Sequence, residues 1–138
     1  MIRAIVIAVL ASLAMGCAPG PTCGPEDPSA SPNVAGTYRY ASAHGYALTG
    51  TIVFAQTERQ VQVLETTYDN ADDRPLKGAT ALVGNRLDIT LTPLNGDTDY
   101  DARVGFLFDA ATSAFCVTGF TDSNGDFGGA ASFHGERQ

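Results

Sequence analysis

A chain of 138 residues with 44% hydrophobic and 17% charged positions and no tryptophan has room for one folded domain of ordinary size. Its formal net charge of −7 disfavours nucleic acid or an anionic lipid surface as a partner, since both would repel it. The only two histidines, His44 and His134, stand at no metal-ligand or Ser-His-Asp spacing, so the chain reads as a non-enzyme with no cofactor.

Residues 1–16 combine a positive charge at Arg3, an apolar run from Ala4 to Leu10, and small residues near their end. This is the pattern of a removable export signal, and the run is too short for the roughly 20 residues of a spanning helix. The stretch "LAMGC" resembles the lipobox of bacterial lipoproteins, although Leu13 lies one place further from the cysteine than the usual leucine. The resemblance implies cleavage before Cys17, acylation of that cysteine with palmitate-type chains, and attachment to the membrane through the N-terminal lipid. Ala18 is not the aspartate that retains some lipoproteins in the inner membrane, so the implied destination is the outer membrane. Ordinary cleavage after "AMG", leaving Cys17 a free thiol, is the other reading. Loss of Arg3 with the signal takes the net charge from −7 to −8.

Residues 17–32 hold five of the seven prolines and almost no apolar bulk, the composition of a disordered tether. With Cys17 acylated, Cys23 and Cys116 remain as an even pair in a compartment that permits disulfides. Either they bridge, stapling the tether to the domain, or Cys116 is a buried free thiol.

Residues 33–138 carry eight short apolar and polar alternations separated by Gly, Asn and Asp. They cover Gly36–Ser42, Leu48–Gln56, Gln60–Tyr68, Leu76–Val83, Arg86–Thr92, Tyr100–Asp109, Ala114–Asp122 and Phe127–Gly135. The connections are too short for crossover helices, so neighbours pair antiparallel in chain order. The fold expected is all-β, an eight-stranded antiparallel up-and-down meander closed or nearly closed into a barrel, because closure removes exposed edges. An open or split sandwich of the same strands is the other arrangement. A two-residue Gly84-Asn85 turn pairs Val83 with Arg86 and sends Leu82, Leu87, Ile89 and Leu91 inward. Tyr38, Tyr40, Ile52, Phe54, Val104, Phe106 and Phe108 complete the expected core.

The opening "VAGTYRY", the eight-strand meander and the closing "SFHGER" resemble the lipocalin and avidin group of barrels, with Tyr38 where those families place the tryptophan of a Gly-x-Trp. The resemblance implies a barrel that can bind a small apolar ligand. With no tryptophan in the chain, no ligand-stacking residue is carried over. The middle strands offer enough bulk to fill a small barrel, which favours a structural or interaction lipoprotein that contacts another envelope protein through loops such as Asp69–Gly78. An apolar cup at one mouth is the alternative.

Two acidic stretches are candidate cation sites. Asp97, Asp99 and Asp101 alternate as on one side of a strand, a pattern more often solvated than metal-bound. Asp122, Asn124 and Asp126 match three positions of a calcium loop, but Phe127 and Phe133 stand where its glycine and glutamate belong. The segment reads better as a hairpin with an Asn124-Gly125 turn, which sets the two aspartates on opposite faces. That register also places Cys116 inside with Phe120, Phe127, Ala131 and Phe133, and Phe115, Val117, Ser132 and His134 outside, unless a bulge at Gly128-Gly129 flips the last strand.

Overall fold

The Gly84-Asn85 turn sets the register of the hairpin around it. Val83 and Arg86 exchange both backbone hydrogen bonds at 2.9 Å. The same register continues to Leu76 opposite Pro93, so Leu87, Ile89 and Leu91 alternate inward with Asp88, Thr90 and Thr92 outward. The computed structural model describes residues 23–42, 49–69, 75–97, 99–109, 114–123, 125–126 and 133–138. Its strands are β1 (Gly36–Ser42), β2 (Thr49–Thr57), β3 (Gln60–Tyr68), β4 (Leu76–Ala81), β5 (Arg86–Pro93), β6 (Ala102–Asp109), β7 (Ala114–Asp122), the two-residue β8 (Gly125–Asp126) and β9 (Phe133–Arg137).

Each strand from β1 to β7 pairs antiparallel with the next. β9 then pairs with both β7 and β1, so eight strands close into a barrel and β8 is a spur on β7. Among the described residues no helix is long and apolar enough to cross a membrane. All eleven residues expected in the core are buried, and Val34, Val61, Val63, Phe115 and Val117 join them. Tyr38 and Phe54 sit at the centre, where Phe54 meets the rings of Tyr38, Phe106 and Phe108 at 5.4 Å and that of Phe115 at 6.0 Å.

Two β-bulges break the period-two alternation and decide which side chains enter the barrel. On β3, Val53 lies opposite Glu65 and Phe54 opposite Val63, so Leu64 is the extra residue. Leu64 is left 48% exposed, and the inward series becomes Val61, Val63 and Thr66. On β7, Gly105 faces Gly119 and Phe106 faces Val117, so Thr118 is extra. Phe115 and Val117 therefore point inward together with Phe120. Cys116 lies on the outer face, which corrects its expected place indoors, and it stands opposite the equally outward His134. Phe133 is inward as expected. The last strand is described over Phe133–Arg137 and runs two residues past its expected end at Gly135; residues 127–132 lie outside the described residues.

The segment read as a loose tether is described from Cys23 onward, where it forms a strap against the barrel. A disulfide joins Cys23 to Cys116 with the Cα atoms 5.5 Å apart. Asn85, 7% exposed, accepts from Asp27 N at 2.8 Å through Oδ1 and donates from Nδ2 to Pro25 O at 3.1 Å and Phe108 O at 3.0 Å. Gly84, in the left-handed region at φ 59°, is crossed so closely that a Cβ there would lie 2.2 Å from Asp27 O. Further on, the Gln56 side chain accepts from Val34 N at 2.7 Å and donates to Pro32 O at 3.3 Å, which seats Val34 in the core. Hydrogen bonds and a covalent bond, not apolar burial, order most of this segment; the proline composition speaks only to burial.

The same end is sealed from the C-terminal side. Arg137 on β9 donates to the Tyr38 hydroxyl from Nε at 3.2 Å and from Nη2 at 2.9 Å, and also to Asn33 O. Its guanidinium carbon lies 5.4 Å from the centre of the Tyr38 ring. One mouth of the barrel is thus shut by the strap, Val34 and Arg137.

Candidate functional site: an aromatic cup at the open mouth

The other half of the barrel is hollow. Among the described residues a cavity of about 380 Å³ opens at the end of the barrel from which the connections β1–β2, β3–β4, β5–β6 and β7–β9 lead. Its floor is apolar: Ile52, Leu76, Leu91, Val104, Phe106, Phe115 and Val117, with the Phe106 and Phe115 rings 5.1 Å apart. Its wall is an arc of rings. Tyr68 lies 6.1 Å from Tyr40, Tyr40 lies 6.4 Å from Phe133, and Phe133 stacks on Phe120 at 6.4 Å.

Each member of the arc is placed by a local feature. Tyr40 and Tyr68 meet above Gly50, which pairs with both; a Cβ at Gly50 would lie 1.9 Å from Thr67 O and 2.4 Å from the Tyr40 hydroxyl oxygen. The Tyr40 hydroxyl donates to Thr67 O at 2.8 Å, which holds the ring against the wall. The Leu64 bulge turns Thr66 into the cavity, where its Oγ1 accepts from Leu76 N at 3.0 Å, and the Thr118 bulge puts Phe120 on the same side as Phe115. At the rim the Tyr100 hydroxyl donates to Asp122 Oδ2 at 3.3 Å.

Outside the rim, Arg39 and Asp69 form a bidentate ion pair, with Nη1 to Oδ1 at 2.9 Å, and Thr49 Oγ1 donates to the same carboxylate. Chiefly the Arg39 hydrogen bond, and then that of Thr49, hold the Asp69 carboxyl below the usual range. The pair is exposed, so its contribution to stability is small.

The cation candidates are placed differently from the sequence expectation. Asp97, Asp99 and Asp101 precede β6 and are not strand residues; Asp97 N donates to Asn95 Oδ1 and Asp99 N to Asp97 Oδ1, both at 2.9 Å, so the acidic run is a pair of side-chain-capped turns. The hairpin at Asp122 turns one residue earlier than expected, pairing Asp122 with Gly125 and Thr121 with Asp126. Asp122 and Asp126 still occupy alternate register positions. Asn124 lies outside the described residues, as does His44. Among the described residues no three His, Cys, Asp or Glu side chains are grouped to hold a metal. His134 stands outside the cup with a buried Nδ1 that has no partner among the described residues.

Sequence reasoning foresaw half of the lining: Tyr40, Ile52, Leu91, Val104 and Phe106 from the regular alternation, and Phe120 and Phe133 from the last hairpin. It missed Thr66, Phe115 and Val117, whose facing depends on the bulges, and Tyr68, Asp122 and Leu76 at strand ends. The Gly105–Gly119 cross-strand pair beside the second bulge is the signal that was available. No family model matches the chain, and neither a curated protein nor a solved structure matches it.

Proposed function

We propose that the chain is a non-catalytic binding barrel that takes one small apolar molecule into the aromatic cup. The observation that carries this reading is the cavity: about 380 Å³, walled by rings and open at one mouth while the other mouth is sealed. Ligand sites span roughly 300–1,000 Å³ and are mostly apolar with a few polar groups, which is the character of this lining. A barrel serving only as an interaction scaffold gains stability by filling such a space, because every void forfeits contacts. A saturable one-to-one rise in the fluorescence of the neutral probe N-phenyl-1-naphthylamine is expected. Ile52→Trp or Val117→Trp, which push an indole into the cup, should weaken it at least about tenfold while circular dichroism still reports a β-fold. Unsaturable fluorescence, or binding that ignores both substitutions, argues for the interaction-scaffold reading.

The anchoring belongs to the same proposal. We take residues 1–16 to be removed and Cys17 to carry the lipid that holds the barrel to the cell envelope, at the outer membrane. The Cys23–Cys116 disulfide supports an exported chain, since such bonds form and persist in oxidising compartments. Cells fed radioactive palmitate should label the wild-type protein, and Cys17→Ala should lose the label and leave the membrane fraction. Undiminished labelling of that variant rules the anchor out.

A further inference from the structure

The composition of the cup separates ligand classes by charge. Resting on the binding-barrel reading, we propose that the preferred ligand is a cationic amphiphile: an ammonium or alkylated amine on an apolar tail. The arc Tyr68–Tyr40–Phe133–Phe120 brings four rings along one side of the cavity, and Tyr100 adds a fifth at the rim. Ring faces attract cations, most of all when water is displaced, and cages of aromatic rings are a recurrent way to hold quaternary ammonium groups.

The charged groups favour the same sign. Asp122 is the one carboxylate among the described lining residues, which include no Lys, Arg or His. It stands at the rim, positioned by the Tyr100 hydroxyl, where the head of a molecule with its tail on the Phe106–Phe115 floor would come to lie. A fatty carboxylate or phosphate in that place meets a like charge and finds no cation among the described lining residues, whereas an ammonium gains both the carboxylate and the rings. Beyond the rim, Asp97, Asp99 and Asp101 belong to the β5–β6 connection at the same mouth. Among the described residues the nearby cations do not offset them: Arg39 is committed to Asp69, and Lys77 and Arg103 are exposed at positions that alternate with the buried Leu76, Ala102 and Val104. The field at the mouth therefore concentrates cations in a concave site of low dielectric.

The test compares three probes of equal tail on the purified full chain by isothermal titration calorimetry: octyltrimethylammonium, octanol and octanoate. The cation should bind about tenfold tighter than the alcohol, and the alcohol tighter than the carboxylate, an advantage of the size expected for a desolvated cation among rings. In Asp122→Asn the ratio of cation to alcohol affinity should fall to within about threefold, and Asp122→Glu should restore most of it. Raising the salt should weaken the cation and leave the alcohol little changed. Octanoate binding as tightly as the ammonium, or a cation preference undiminished in Asp122→Asn, overturns the proposal while leaving the binding barrel standing. Failure of all three probes overturns both.

Discussion

Replacing Phe54 with alanine is expected to cost roughly 3–5 kcal/mol, the range for truncating a large aromatic in a core that cannot collapse around the gap. Phe54 is 2% exposed and is the common neighbour of four other rings, three of them at 5.4 Å, drawn from β1 and β6, with Phe115 of β7 as the fourth. These rings belong to a closed barrel, so no single strand can move in to fill the space. The lost side chain would also sit just beneath the floor of the cup, because Phe106 and Phe115 line the cavity above and touch Phe54 below. Urea denaturation followed by circular dichroism measures the effect. Phe54→Leu, which keeps most of the volume, should lose less than half as much. A loss below about 1 kcal/mol for the alanine variant would show that the packed end is not the stabilising core described here.

Breaking the Cys23–Cys116 bridge is expected to have an effect of similar size by a different route. The bridge spans 93 positions of sequence, and closing so long a loop restricts the unfolded chain by roughly 4–5 kcal/mol on the chain-entropy account, an upper figure. Its removal also acts on the folded state. With Cys23 freed, the strap is held by the Asn85 hydrogen bonds and the exposed Arg86–Glu26 pair at 3.3 Å, and Cys116 loses its cover. The double variant Cys23→Ser with Cys116→Ala should unfold at lower urea than the oxidised wild type, and reduced wild type should resemble the variant. Hydrogen exchange should quicken at Asp27 and Asn85, whose amides the strap contacts protect, while Ile89 and Val104 in the strands keep their protection. Equal midpoints for oxidised and reduced protein would refute the stapling role.

How far this molecule could be read from its residues depends on the element. The hairpin through Gly84-Asn85 was legible to the single residue pair, because polar and apolar positions alternate cleanly on both sides of a turn that accepts one register. The run Phe115-Cys116-Val117 was not legible, since three apolar residues in succession carry no period and either parity fits. There the facing is decided by Thr118, an extra residue visible only against its partner strand. The hydrogen bonds that order the strap were equally hidden: they come from Asn85, a residue whose presence a turn already explains, and from the side chain of Gln56. The cup escaped for a related reason. The large side chains of the middle strands do fill the barrel, but only its sealed half. The rings at the open half stand back against the wall, Tyr40 and Tyr68 over Gly50 and Phe120 against Phe133, and leave the axis empty.

The disulfide also changes what the sequence calls a tether. Counted along the chain, sixteen residues separate the expected signal from the domain; with Cys23 pinned to the outer face of β7, only the segment from Cys17 to Cys23 is left to span the distance to a lipid anchor. Six residues reach at most about 20 Å, less than the length of a β-strand barrel with its loops. Cys116 lies near the start of β7, on the side of the sealed end. If Cys17 carries the lipid as proposed, the leash would be short and attached near the base of the barrel, and the barrel would stand with that base toward the bilayer and the cup facing away. In that pose the cup would load from the aqueous side, and a ligand arriving from the anchoring leaflet would have to leave the lipid before it could enter.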